Sequence, residues 1–229
     1  MPSQEPRAAQ LAEQLDPAAT VLLTVECQEG VVGTCSALPE LAEEMRSSGA
    51  LRNVARLVDA AHGAGVQVMH AVAERRPDGR GASRHARLFR AAERLPVQQW
   101  TGSEAVRVAA PVEVADADLV VRRLHGLSPV AGTEVDALLR NLGCRNVVVV
   151  GVSANVAIPN AVFDLVNTGY RVVVAADAIA GVPSPYTAQL VRHTLALVAT
   201  VTDTQDVVER WAKGTRDAGS GGAPAPPKP

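Results

Sequence analysis

Hydrophobic residues follow two different periods along the chain. Six short runs are rich in consecutive apolar and β-branched residues, a pattern typical of strands that are covered on both faces of a sheet. Between them, apolar residues recur every three or four positions, as they do along one side of a helix. The predicted strands are Val21–Val25, Val66–Val72, Asp118–Val121, Asn146–Val150, Arg171–Ala175 and Thr200–Thr202. The predicted helices include Leu51–His62, Asn155–Thr168, Thr187–Val198 and Thr204–Trp211.

The alternation of strands and helices indicates an α/β fold. We predict a three-layer α/β/α domain with a six-stranded, mainly parallel, doubly wound sheet in the order 3-2-1-4-5-6. Residues 19–212 form this domain, after an N-terminal arm over residues 1–18. Residues 213–229 are predicted to be a disordered tail because they are rich in Gly, Ala and Pro and offer little apolar surface.

Composition argues against several classes of function. The net charge is −2 and only 3% of residues are aromatic, which does not suit nucleic-acid binding. No apolar run approaches the ~20 residues that cross a membrane, and the N-terminus lacks a signal-peptide core, so we expect a cytoplasmic protein. Three cysteines without a CxxC motif predict neither a disulfide framework nor a zinc site. We therefore expect no cofactor and no metal.

A carboxylate follows the first predicted strand directly. In the predicted strand order, Glu26 faces the turn Gly151–Ala157 across the crevice where open α/β sheets bind ligands. A carboxylate at such a position is costly to desolvate unless it is paired, and carboxylates of this kind often have perturbed pKa values. Glu26 is therefore a candidate acid/base, and the alternative is a structural ion pair with an arginine.

Three stretches carry a family resemblance: TVLLTVECQ at the first strand, GTEVDALLRNLGCRNVVVVGVSANVAI in the middle, and AVFDLVNTGYRVVVAADAIAG after it. Over about residues 18–211 the chain resembles the isochorismatase-like hydrolase superfamily, which includes isochorismatases, nicotinamidases and N-carbamoyl amidases. In the amidase branch an aspartate ends strand one, a lysine follows strand three, and a cysteine opens the helix after strand four. That cysteine attacks a carbonyl, the aspartate takes its proton and the lysine stabilises charge.

This sequence departs from the family pattern at all three positions. Glu26 stands in place of the aspartate, Ala157 in place of the cysteine and Leu124 near the lysine position. Alanine cannot be a nucleophile, so an acyl-enzyme route through this position is excluded. A small residue here resembles the isochorismate-cleaving branch, whose aspartate acts as acid/base on a vinyl ether without a covalent step. The zinc-ligand pattern of the nicotinamidases is also missing.

The resemblance assigns roles to a small set of residues. The catalytic positions are Glu26, Arg123 and Ala157, the last marking the missing cysteine. The substrate-binding positions are Arg122, His125, Ser153 and Asn155. Arginine is a poor proton donor, so we expect Arg122 or Arg123 to bind a substrate carboxylate, with a solvated arginine pair as the alternative.

Two further sets of polar residues lie near predicted strand ends. His70 is another possible base, whereas His62 has the position of a helix-surface residue. The basic loop over residues 74–89 could select acidic substrates or could be an ordinary polar loop.

The leading hypothesis is a hydrolase that acts on a small anionic metabolite by carboxylate acid/base chemistry without a cysteine nucleophile. The alternatives are a non-catalytic binding or scaffold protein on the same fold, and an amidase whose nucleophile has moved to Cys35. We also expect a homodimer or homotetramer, as the resemblance implies. The predicted helices Asn155–Thr168 and Thr187–Val198 are apolar beyond one face, which suggests a covered second side. In the first of them the extra apolar residues are Ala157, Ile158, Ala161 and Val162.

Overall fold

One six-stranded sheet organises the chain. The computed structural model describes residues 4–219, with side chains over residues 9–214. All strand pairs are parallel and the order is β3-β2-β1-β4-β5-β6, which confirms the predicted class and topology. The strands are β1 (Thr20–Val25), β2 (Gln67–Ala73), β3 (Leu119–Arg123), β4 (Asn146–Val152), β5 (Arg171–Ala180) and β6 (Thr200–Thr202).

Helices cover both faces of this sheet. One core cluster packs α2, α3 and α8 against it, and a second packs α5, α6 and α7 against the other face. The helices are α1 (Gln4–Gln14), α2 (Pro39–Ser47), α3 (Ala50–Ala64), α4 (Arg87–Ala92), α5 (Val135–Asn141), α6 (Ala157–Asn167), α7 (Ser184–His193) and α8 (Thr204–Gly219). None of these helices combines the length and apolar character that a bilayer span requires.

Burial on both faces explains the continuous apolar strands. Every residue of β1 and of β4 is buried, because helices lie above and below them. These two strands are neighbours at the centre of the sheet, and the chain leaves them for helices on opposite faces. Their carboxyl ends therefore form the switch point at which doubly wound folds bind ligands.

Several predicted boundaries are corrected. The third strand includes Arg122 and Arg123, which were expected to follow it. The predicted helix Thr187–Val198 is α7, followed by a separate 3-10 helix at Leu195–Leu197. Helix α8 continues past Lys213 to Gly219, so the predicted disordered tail does not begin at Lys213. The remainder of that tail, residues 220–229, lies outside the described residues.

The wide apolar band of α6 does not indicate a second subunit. Ala157, Ile158, Ala161 and Val162 are all buried in the chain's own core, between the sheet and the neighbouring helices. Phe163 is the large apolar residue that α6 leaves exposed, at 40%. The band therefore gives no support to the expected homodimer or homotetramer, which stays a prediction.

A buried polar network joins β1, β2, α3 and the segment before β3. The His70 side chain is fully buried; its Nδ1 lies 2.8 Å from Thr24 Oγ1 and its Nε2 lies 3.3 Å from Asp118 Oδ2. His62 Nε2 lies 2.9 Å from the other oxygen of Asp118, so His62 is not a plain surface residue as expected. Both ring nitrogens of His70 are thus engaged by the protein, which favours an anchoring role over the predicted role as a base.

This network predicts a pH-dependent stability. Burial lowers the pKa of His70 below its ordinary 6.5, against the opposing effect of Asp118. The unfolded chain therefore binds a proton at a higher pH than the folded chain. The resulting stability is fully present above pH 6.5 and is lost as the pH falls through 6.5 toward the lower folded pKa. We expect the free energy of unfolding to fall as the pH is lowered through this window.

Urea denaturation of the wild-type protein and His70→Gln between pH 5.5 and 7.5 measures this effect. In His70→Gln the free energy of unfolding should depend much less on pH, whereas His193→Gln, at an exposed position, should keep the wild-type dependence. The same pH dependence in the wild-type protein and in His70→Gln would remove His70 as the cause.

Candidate functional site

The carboxyl ends of four neighbouring strands border a cavity of about 280 Å³. Each strand delivers one polar residue to it, because parallel strands end at the same edge of a sheet. These residues are Ser153 after β4, Glu26 after β1, Glu74 after β2 and Arg123 at the end of β3. The opposite wall is formed largely by the segment of residues 82–99, which includes α4.

Glu26 and Arg123 form an ion pair inside this cavity. Arg123 Nη2 donates to Glu26 Oε1, and Arg123 Nη1 donates to the carbonyl oxygens of Gly126 at 2.6 Å and His125 at 3.3 Å. Both side chains are largely buried, with 11% and 17% of the Arg123 and Glu26 side chains exposed. The guanidinium therefore fixes the carboxylate and offsets its charge. The arginine pairing left open by the sequence is present, and it lies within the cavity.

The backbone of Glu26 is unusual. Its φ of 51° makes it the sole non-glycine residue with a positive φ in the described part of the chain. Its N–H donates to the carbonyl oxygen of Ala71 in β2 at 2.8 Å, which ties the residue to the sheet edge. A left-handed glutamate costs free energy, and such residues cluster at functional sites. The backbone geometry thus singles out the residue that the sequence predicted first.

The turn after β4 contributes backbone groups to the cavity. Ser153 and Ala157 both line it, and the peptide bond between Val152 and Ser153 is cis. The Ser153 carbonyl accepts hydrogen bonds from Val156 N and Ile158 N, both at 3.1 Å. Within residues 9–214, no acceptor is found for the N–H groups of Ser153 and Ala157. The N–H groups of Ser153, in the turn, and of Ala157, the first residue of α6, therefore lack a protein acceptor and are candidate donors to a ligand oxygen.

Two predicted substrate-binding residues lie outside the cavity. Arg122 precedes Arg123 on β3, and since side chains alternate along a strand, it points to the other face. Its side chain is 52% exposed and its Nε lies 3.5 Å from Glu74 Oε2. Asn155 Nδ2 donates to the Val182 carbonyl at 2.7 Å and so holds the loop that leaves β5. His125, by contrast, lines the cavity.

Glu74 is a cavity residue that the sequence reading missed. It directly follows β2 and is 8% exposed, with Oε1 accepting a hydrogen bond from Thr101 Oγ1 at 3.1 Å. In the structure Glu74 directly follows β2, just as Glu26 follows β1, whereas the predicted strand ended one residue earlier, at Val72. Glu74 was not predicted because the arginines that follow it led to the interpretation of residues 74–89 as a basic loop.

The cysteines lie in surroundings that disfavour a thiolate. Burial raises the pKa of Cys27 to about 12 and that of Cys144 to about 11. Cys35 is partly exposed, and desolvation followed by the charges of Glu29 and Glu104 raises the pKa of its thiol. No thiol lines the cavity within the described residues, and no group of three or more potential metal ligands occurs among them.

Comparison with known proteins identifies the domain. A family model described as the Isochorismatase domain matches residues 20–206. A cysteine hydrolase from Pseudomonas syringae pv. phaseolicola is 22% identical, with 88% of this chain and 96% of that chain covered and a TM-score of 0.74. An isochorismatase family protein from Desulfovibrio vulgaris is also 22% identical, with 85% and 98% covered and a TM-score of 0.72.

A nicotinamidase from Bacillus subtilis shares the fold at 16% identity, with 81% of this chain and 99% of that chain covered and a TM-score of 0.65. No curated protein matches the sequence. At these identities the solved structures demonstrate a common fold, and the family model demonstrates membership.

Proposed function

The chain belongs to the isochorismatase family, and we propose that it hydrolyses a small molecule with Glu26 as acid/base and without a cysteine nucleophile. The observation that carries the proposal is the Glu26–Arg123 pair in a cavity lined by Ser153 and Ala157, whose N–H groups have no protein acceptor, and by no thiol among the described residues. Acid/base catalysis needs a positioned carboxylate, and water itself then supplies the attacking oxygen.

In the proposed reaction, Glu26 takes a proton from a water molecule as the water oxygen bonds to the electrophilic carbon of the substrate. The bond from that carbon to the leaving group breaks, and the proton passes from Glu26 to the leaving atom. Arg123 pairs with the Glu26 carboxylate and holds it in place for the proton transfer. The N–H groups of Ser153 and Ala157 would stabilise negative charge that develops on a substrate oxygen.

The expected anionic substrate stays untested. It rested on Arg122 and Arg123 as binders of a substrate carboxylate and on the basic loop of residues 74–89, whose Arg75, Arg76 and Arg84 pair with Glu93 or Asp78. Arg122 lies outside the cavity, and both terminal nitrogens of Arg123 already donate to protein oxygens. We therefore do not include an anionic group in the proposed substrate.

A turnover screen tests the proposed function. Vinyl ethers and small amides are incubated with the wild-type protein and with Glu26→Gln, and product formation is followed by chromatography. Turnover that depends on Glu26 supports a hydrolase, and the substrate class that is cleaved identifies the scissile bond.

A non-catalytic binding protein is the second candidate. The observation in its favour is that Glu26 is paired with Arg123 while Ala157 occupies the family's cysteine position. Both features suit a ligand-binding cavity that has lost its chemistry. Saturable binding of a screened compound without detectable turnover would favour this candidate over hydrolysis.

Thiol modification separates the proposal from a relocated-cysteine amidase. Because the pKa of Cys35 is raised and the other two thiols are buried, none is activated as a nucleophile. We expect full alkylation of the accessible thiol with iodoacetamide to leave at least about half of the activity. Mass spectrometry gives the extent of modification, and Cys35→Ser serves as the matched control. Loss of activity in proportion to Cys35 modification would support the amidase instead.

A further inference from the structure

The walls of the cavity beside Glu26 are mainly hydrocarbon. Apolar side chains come from the loop before α2, from α2 itself, from the segment around α4 and from the loop after β3. They include Leu38, Leu41, Leu88, Phe89, Leu95 and Leu127. Transfer of hydrocarbon from water into such surroundings is favourable by about 0.8 kcal/mol per methylene, which corresponds to about a fourfold gain in affinity.

The charges of the cavity cancel. Its charged lining residues are two carboxylates and two guanidinium groups, each with a partner of opposite sign. The pairs are Glu26 with Arg123, Arg75 with Glu93 at 3.0 Å, and Glu74 with Arg122 at 3.5 Å. An anionic ligand would meet two carboxylates and no unpaired arginine or lysine among the described lining residues. Burial of its charge would therefore be unfavourable.

We propose that the ligand of this cavity has a hydrocarbon body and an uncharged polar group that lies against Glu26. This inference rests on the proposed function of the cavity as a substrate site and names the class of substrate. The polar group receives hydrogen bonds from the N–H groups of Ser153 and Ala157, and the body lies along the apolar wall of α4.

Substitutions on helix α4 can test this inference without disturbing the fold. None of its residues is buried, so its side chains can be changed with little effect on the protein core. Phe89 on α4 lines the cavity. The chain's other phenylalanine, Phe163, is 40% exposed on α6 and is absent from the cavity lining. Phe163→Ala is therefore a matched control for Phe89→Ala.

The experiment measures binding of two homologous series to the full-length protein by ligand-observed NMR. One series is the normal alcohols from butanol to octanol, which are uncharged and cannot be hydrolysed. The other is the carboxylates of the same chain lengths. We expect the affinity for the alcohols to rise about fourfold per methylene until the cavity is filled. Each carboxylate should bind at least about tenfold more weakly than the alcohol of the same length.

Phe89→Ala should weaken binding of the longest alcohols by about tenfold and reduce the dependence on chain length. Phe163→Ala should leave both unchanged. Carboxylates that bind as tightly as the alcohols, an affinity independent of chain length, or equal effects of the two phenylalanine variants would each overturn the inference and leave the proposed hydrolase standing. Absence of saturable binding by either series at millimolar concentration would also overturn it, and the turnover screen would then decide the proposed function separately.

Discussion

Glu26→Gln is expected to lower turnover of a confirmed substrate by about 10²–10⁴-fold with the fold intact. The amide has nearly the shape of the carboxylate and its oxygen can still accept a hydrogen bond from Arg123, but it cannot take a proton from water. The loss should appear in kcat more than in KM, because proton transfer occurs in the transition state. Steady-state kinetics of the two proteins on one substrate measures the effect.

A matched variant separates loss of a base from loss of an ion pair. Glu13 also pairs with an arginine, Arg171, but at an exposed position that is not part of the cavity lining. Glu13→Gln should retain wild-type kinetics. Circular dichroism and urea denaturation verify that Glu26→Gln is folded, since Arg123 is largely buried and loses a charged partner. An unchanged kcat in a folded Glu26→Gln protein would remove Glu26 from the mechanism.

Gly151→Ala is expected to lower the free energy of unfolding by about 3 kcal/mol or more, and with it the yield of folded protein. Gly151 has a φ of +108°, and a Cβ built there would lie 2.3 Å from the Val25 carbonyl oxygen and 2.9 Å from Cys27 Sγ. Val25 belongs to the central strand β1, which is held on both sides by β2 and β4, so its backbone cannot move away. Urea denaturation gives the change in stability.

Gly169→Ala is the matched control for this substitution. Gly169 also has a positive φ, +97°, but a Cβ there would meet nothing within 4 Å. Gly169→Ala should therefore lower the free energy of unfolding by about 1–2 kcal/mol, the cost of holding alanine at a positive φ. Similar losses for the two variants would show that backbone conformation, and not the close approach of β1 and β4, explains the requirement for glycine at residue 151.

The sheet could be predicted because its signal is local. Strands buried on both faces need consecutive apolar residues, so runs such as Asn146–Val150 stand out from helices without knowledge of their partners. The alternation of such runs with amphipathic segments leaves few topologies, and the observed strand order is among them. Glu26 could be found for the same reason, since it directly follows a central strand, whereas Ser153 was assigned through the family resemblance.

Segments without periodicity could not be interpreted in this way. Residues 74–118 contain one six-residue helix, α4, and one short 3-10 helix, Glu104–Val106, and most of their chain is loop. Neither the hydrocarbon wall at α4 nor the cavity position of Glu74 follows from residue type alone. Both depend on how the loop folds back over the strand ends, which is set by contacts distant in sequence such as the hydrogen bond from Thr101 to Glu74.

The sequence by itself determined the α/β sheet, the crevice between β1 and β4, the carboxylate at its edge and the alanine in place of the family's cysteine. Tertiary structure alone decided which arginine enters the cavity. Arg122 and Arg123 are adjacent and chemically identical, and only the continuation of β3 through both residues sends them to opposite faces of the sheet. Tertiary structure also decided the charge of the cavity. The sequence does not show which carboxylate pairs with Arg123, and in the folded chain Glu26 offsets its charge.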